Sequence, residues 1–110
     1  MTTSGWIGVD LDGTLAEYHG WNNGIIGKPI PLMLSRVKFW ISRGITVKIF
    51  TARACIPEDI QNVQKWLEHE CGLPRLEVTN QKDFSMIELW DDRAVTVKIN
   101  TGIVIAYEET

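Results

Sequence analysis

Long apolar runs are missing from this chain: no stretch approaches the roughly twenty residues that cross a bilayer, so no membrane span is expected. Blocks of basic residues are missing too, and the formal net charge is -3. A protein that grips long nucleic acid by charge alone is therefore disfavoured, though action on a nucleotide or a nucleic-acid end is not excluded. Cysteine is scarce. Cys55 and Cys71 fit no metal-binding spacing and read as two reduced thiols. Met1 to Gly5 lacks a basic region followed by an apolar run, so no signal peptide is expected and a cytoplasmic address follows by default. No repeat, low-complexity stretch or interdomain linker interrupts the sequence.

What is present suits one soluble domain spanning residues 1–110: 45% of residues are hydrophobic and 23% charged. That length closes a core without disulfide or metal staples. Trp6-Ile7-Gly8-Val9 reads as a buried strand ending at Asp10. Residues 16–29, rich in glycine and asparagine, read as a loop or small flap. Ile30, Met33, Leu34, Val37, Trp40 and Ile41 share one helical face, with Pro31 in the first turn and Gly44 at the end. Residues 45–50 form a second buried strand. Pro57, Glu58 and Asp59 open a second helix, whose stripe is Ile60, Val63, Leu67 and Cys71, closed by Gly72 and Pro74. Residues 76–79 are a weaker third strand and residues 86–90 a fourth. Residues 96–100 and 103–107 flank a candidate hairpin turn at Asn100-Thr101-Gly102.

Strands alternating with helices specify a mainly parallel sheet with helical crossovers. Ligands then bind beyond the carboxyl ends of the strands. The polar residues at those ends are Asp10 and Asp12 after the first strand, Thr51 and Arg53 after the second, Lys82 after the third, and Asp91 and Asp92 after the fourth.

In an extended chain Asp10 and Asp12 face the same side, and Gly13 lets the backbone turn sharply away. Two close carboxylates repel unless a cation lies between them, and magnesium leaves room for phosphate oxygens. One carboxylate can attack phosphorus while the other carries a proton to and from the oxygens. Asp10, Asp12, Asp91 and Asp92 are the expected metal ligands. Alternation along a strand lets only one of the last two ligate directly. Asp91 is the expected direct ligand, with Asp92 acting through water or holding Lys82. Thr51 can donate to a phosphate oxygen or simply end its strand. Arg53 offers a planar fork to phosphate, or an ion pair to Glu58 or Asp59. Lys82 can neutralise the attacking carboxylate, or remain solvated like most lysines. Gly13 joins Arg53 as an expected substrate-binding position. Tyr18, His19, Trp21 and Asn22 belong to the flap, where they can touch the leaving group, although Tyr18 and Trp21 are expected merely to cover the loop.

Taken together, these residues resemble the four motifs of the haloacid dehalogenase superfamily. Asp10-Leu11-Asp12-Gly13-Thr14-Leu15 matches the first motif, Thr51 the second, Lys82 the third and Asp91-Asp92 the fourth, in the family's order. The resemblance spans residues 6 to about 95. It implies a Rossmann-like three-layer α/β sandwich, a magnesium ion, an aspartyl-phosphate on Asp10 and hydrolysis of a phosphate monoester. It also implies that the backbone carbonyl of Asp12 binds the metal. Residues 12–16, 27–31, 50–53 and 90–94 are similar to the small phage and bacterial hydrolases of the superfamily. The Asp91-Asp92-Arg93 run and Arg53 are also similar to the phosphatase half of polynucleotide kinase-phosphatases. The implied partner is a phosphorylated small molecule or a nucleic-acid end. Residues 16–29 are too few for a cap domain, and the short interval between Lys82 and Asp91 shortens or removes a helix usual in the family.

Two rivals share the chemistry. A receiver-type signalling module also gathers acids, Thr, Lys and magnesium at one sheet edge. It places an adjacent acid pair after the first strand and the phosphoacceptor after the third, the reverse of the order here. A catalytically silent phosphate-binding protein is the other. The sequence sets no oligomeric state.

Overall fold

The computed structural model describes residues 4–105. Strands β1 (Trp6–Asp10), β2 (Thr46–Phe50), β3 (Val78–Thr79) and β4 (Met86–Trp90) form one parallel sheet in the order β3-β2-β1-β4. Helix α1 (Pro31–Ser42) joins β1 to β2, and helix α2 (Pro57–Cys71) joins β2 to β3. The class is α/β and Rossmann-like, with no cap among the described residues. No helix there is long and apolar enough to cross a membrane.

Both helices begin on a proline and end near a left-handed glycine, as the sequence punctuation requires. Gly72 itself is the C-cap of α2, at φ 64°. Each turns its apolar stripe inward. Met33 and Val37 from α1 and Val63, Trp66 and Leu67 from α2 are buried with Ile7, Val9, Val47 and Ile49 of the sheet. Each fully buried aliphatic side chain contributes about 1.5–3 kcal/mol relative to exposure. Trp66 falls outside the stripe read from the sequence, yet it is buried and its indole N–H donates to the Gly27 carbonyl at 3.0 Å.

The crossovers β1-α1-β2 and β2-α2-β3 step the same way across the sheet, so the right-handed rule places both helices on one face. The connection from β3 to β4 is only residues 80–85, too short for a helix, and it supplies no helical layer on the other face. There, the Lys48 ammonium sits 4.6 Å from the centre of the Trp6 ring and 3.4 Å from Glu77 Oε2. The flap is gathered at its base by pairing of Ala16 with Pro29 and by the Glu17 N–H on the Lys28 carbonyl. The candidate hairpin is present in outline: Val97 pairs with Val104, and Lys98 N–H donates to the Ile103 carbonyl. Its expected continuation to Tyr107 lies outside the described residues.

Candidate active site

Register brings the acids together. Asp10 pairs with Phe50 across β1 and β2, and Val9 pairs with Trp90 across β1 and β4. The residues that follow therefore emerge side by side at the carboxyl edge. Carboxylate oxygens of Asp10, Asp91 and Asp92 lie within 4.8 Å of one another. A cavity of about 680 Å³ opens beside them, lined also by Asp12, Arg53, Arg93, Tyr18, Trp21 and Phe50.

Thr14 ties the acids in place. Its hydroxyl lies 3.1 Å from Asp10 Oδ2 and 3.2 Å from Asp92 Oδ1, and accepts the Asp92 N–H at 3.0 Å. Gly13 serves this packing rather than the cavity. It sits at φ 92°, and a Cβ there would stand 2.5 Å from Asp92 Oδ2. Only glycine combines that left-handed backbone with so close a carboxylate. Both Asp91 and Asp92 bring an oxygen to the cluster, although strand alternation would turn adjacent residues to opposite sides. The strand ends at Trp90, so its alternation does not extend to the pair.

The crowding shows in protonation. Asp10 is pushed up to about 7 from 3.8, first by burial, then by its contact with Asp92 and the negative charge of Asp91. The Thr14 hydrogen bond pulls the other way. An all-oxygen set of close carboxylates, one of them costly to ionise unaided, is the donor chemistry that a hard divalent cation such as magnesium takes.

Asp12 departs from expectation. Its carboxylate is not part of the cluster but is held by Arg53, with Nε on Oδ2 at 2.8 Å and Nη2 on Oδ1 at 2.9 Å. The chain turns immediately after Asp10: the N–H groups of Thr14, Leu15 and Ala16 all converge on the Leu11 carbonyl. Asp12 nonetheless lines the same cavity as Asp10, as alternation along the chain predicts. Arg53 is likewise committed, being 9% exposed and paired to neither Glu58 nor Asp59. Its Nη1 donates to the Gly24 carbonyl at 2.8 Å, and its guanidinium lies 4.8 Å from the Trp21 ring centre. The Asp12 hydrogen bond holds Arg53 above its ordinary value.

Thr51 is buried at 4% exposure, and its hydroxyl accepts the Arg53 N–H at 3.1 Å, capping the short 3-10 turn at Ala52–Cys55. It is adjacent to the cavity without lining it. Lys82 is exposed and does not line the cavity. The next residue, Asp83, accepts the Trp6 indole N–H at 2.9 Å, which draws the loop toward the opposite edge of the sheet. The cations at the cavity are Arg53 and Arg93 instead. His19 stays on the exposed flap, 3.3 Å from Glu17.

No family model matches the chain, and no curated protein matches it. Among solved structures, a conserved protein from Bacteroides thetaiotaomicron is similar. It is 22% identical, with 84% of this chain and 79% of that chain covered and a TM-score of 0.61. That likeness establishes the shared fold, and the relative's name carries no activity.

Proposed function

We propose that this chain is a phosphatase of the haloacid dehalogenase type that hydrolyses a phosphate monoester through a phosphorylated Asp10 and depends on magnesium. The observation that carries the reading is the joining of Asp10, Asp91 and Asp92 within 4.8 Å at two neighbouring strand ends, with Asp12 on the wall of the same cavity. Magnesium held by Asp10, Asp91 and Asp92 would relieve their repulsion and screen the phosphate charge. An oxygen of Asp10 attacks phosphorus, and the bond to the ester oxygen breaks. The departing oxygen takes its proton from Asp12. Water then attacks phospho-Asp10 and returns a proton to Asp12, freeing phosphate and restoring the Asp10 carboxylate. Arg53 engages one lone pair on each oxygen of Asp12, so the transferred proton uses a remaining lone pair while the pair stays closed. Residues 80–82 after β3 offer no carboxylate as phosphoacceptor, so a receiver-type module is the poorer account. The substrate is a phosphorylated small molecule or a nucleic-acid end.

The test is release of inorganic phosphate from an aryl phosphate, in magnesium and in chelator, by the wild type and by Asp10→Asn. Turnover is expected only for the wild type in magnesium, with circular dichroism unchanged in the variant. Wild-type rates from Asp10→Asn would end the reading.

A further inference from the structure

Aromatic rings are 9% of this chain but three of the ten residues around the cavity, namely Tyr18, Trp21 and Phe50. Two of them do no core work. Trp21 is 65% exposed and Tyr18 47%, and neither joins the buried cluster. Cover for the loop accounts for the part of Trp21 that lies against Arg53 and Gly24, and it leaves much of both side chains open to water. Trp21 is nonetheless held in place. Its ring rests on the buried Arg53 guanidinium at 4.8 Å, and Arg53 is anchored by Asp12 and by the Gly24 carbonyl. A flat apolar surface fixed beside an acidic cluster that would hold a cation, with Arg93 also on the wall, suits a ligand that is anionic at one end and planar at the other.

We infer that Trp21 is a specificity-determining residue whose indole stacks on a planar aromatic group carried by the phosphate monoester, a nucleobase being the representative case. The inference rests on the phosphatase reading for where the phosphate lies. Stacking of a base on an aromatic side chain is sequence-tolerant and, at its usual strength, changes affinity roughly tenfold or more. Aliphatic and plain sugar phosphates lack that contact, so they bind more weakly than their base-bearing counterparts.

Adenosine 5′-phosphate and ribose 5-phosphate share the phosphate and sugar and differ in the base. Their affinities in magnesium can be compared by calorimetry on Asp10→Asn chain, which is not expected to consume them. The nucleotide is expected to bind about tenfold tighter. Trp21→Leu should bring the two within about twofold, while Trp21→Phe keeps most of the difference. The ratio cancels any general disturbance passed through Arg53. Equal affinities, no binding of either compound, or a preference that survives Trp21→Leu would overturn the inference. Turnover by the wild type is scored separately: a Trp21-dependent preference without phosphate release supports the subsite and sinks the hydrolytic reading.

Discussion

Arg53 closes on Asp12 across 41 residues of chain, donating Nε and Nη2 to the two carboxylate oxygens at 2.8 and 2.9 Å. This pair links the turn after β1 to the turn after β2, and through the Gly24 carbonyl it fixes the flap. One side chain therefore sets the position of the proposed proton carrier and of one cavity wall together.

The first prediction concerns that pair. Arg53→Met keeps an apolar stem but removes every hydrogen bond, and is expected to cost about 2–3 kcal/mol in urea unfolding. Asp12→Asn keeps the shape and loses the charge. Because the two residues act as a unit, the double variant should be less destabilised than the sum of the singles by about 1 kcal/mol or more. Simple additivity would show that the pair contributes nothing in solution. Arg53→Lys should recover only part of the loss, since an ammonium cannot make the two-pronged contact.

The second concerns Asp10, whose carboxyl sits at about 7 in the folded chain against an ordinary 3.8. Between those values the folded chain retains a proton that the unfolded chain has released. Stability from this group is whole below the lower value and lost as pH rises through the upper one. In chelator, the melting temperature of the wild type relative to Asp10→Asn should fall from about pH 5 to about pH 7.5. Magnesium should flatten that slope, because a cation favours the ionised form. A difference that is level or rising over this interval, in chelator, would contradict the burial and repulsion argued for Asp10.

The strand ends were legible because their signal is local. β-branched residues mark β1 and β2, prolines and glycines mark both helices, and the parallel topology then brings Asp10 and Asp91 to one edge. What escaped was set by long-range choices. Nothing near Arg53 announces that its partner is Asp12, and periodicity cannot say which of several carboxylates a guanidinium will take. Lys82 reads as a strand-end cation, but Asp83 bonds to Trp6, 77 residues away, and the loop follows that bond. Strand alternation does not reach Asp91 and Asp92, because β4 ends at Trp90. Trp66 had a usable signal, standing three residues beyond Val63 on the helix. Thr14 was visible only as part of a motif, although its hydroxyl bridges β1 and the segment after β4.

That bridge supports the last prediction. The Thr14 hydroxyl accepts the Asp92 N–H and lies beside oxygens of both Asp10 and Asp92, so it sets the spacing of two of the three clustered acids. Thr14→Val keeps the volume but leaves the Asp92 N–H without its acceptor and the two carboxylates without their shared donor. We expect a loss of about 1–2 kcal/mol in unfolding. Magnesium affinity should weaken severalfold as the cluster loosens, and Thr14→Ser should restore both. Gly13→Ala acts on the same spacing from the other side: its Cβ would stand 2.5 Å from Asp92 Oδ2 on a backbone at φ 92°. It should lower magnesium affinity at least as much, and no serine-like rescue exists for it because the obstruction is the carbon itself. Calorimetric titration of magnesium into the three variants distinguishes the causes. Wild-type affinity in both Thr14→Val and Gly13→Ala would mean that Asp92 takes no part in holding the cation, leaving too few carboxylates in the cluster to define a magnesium site.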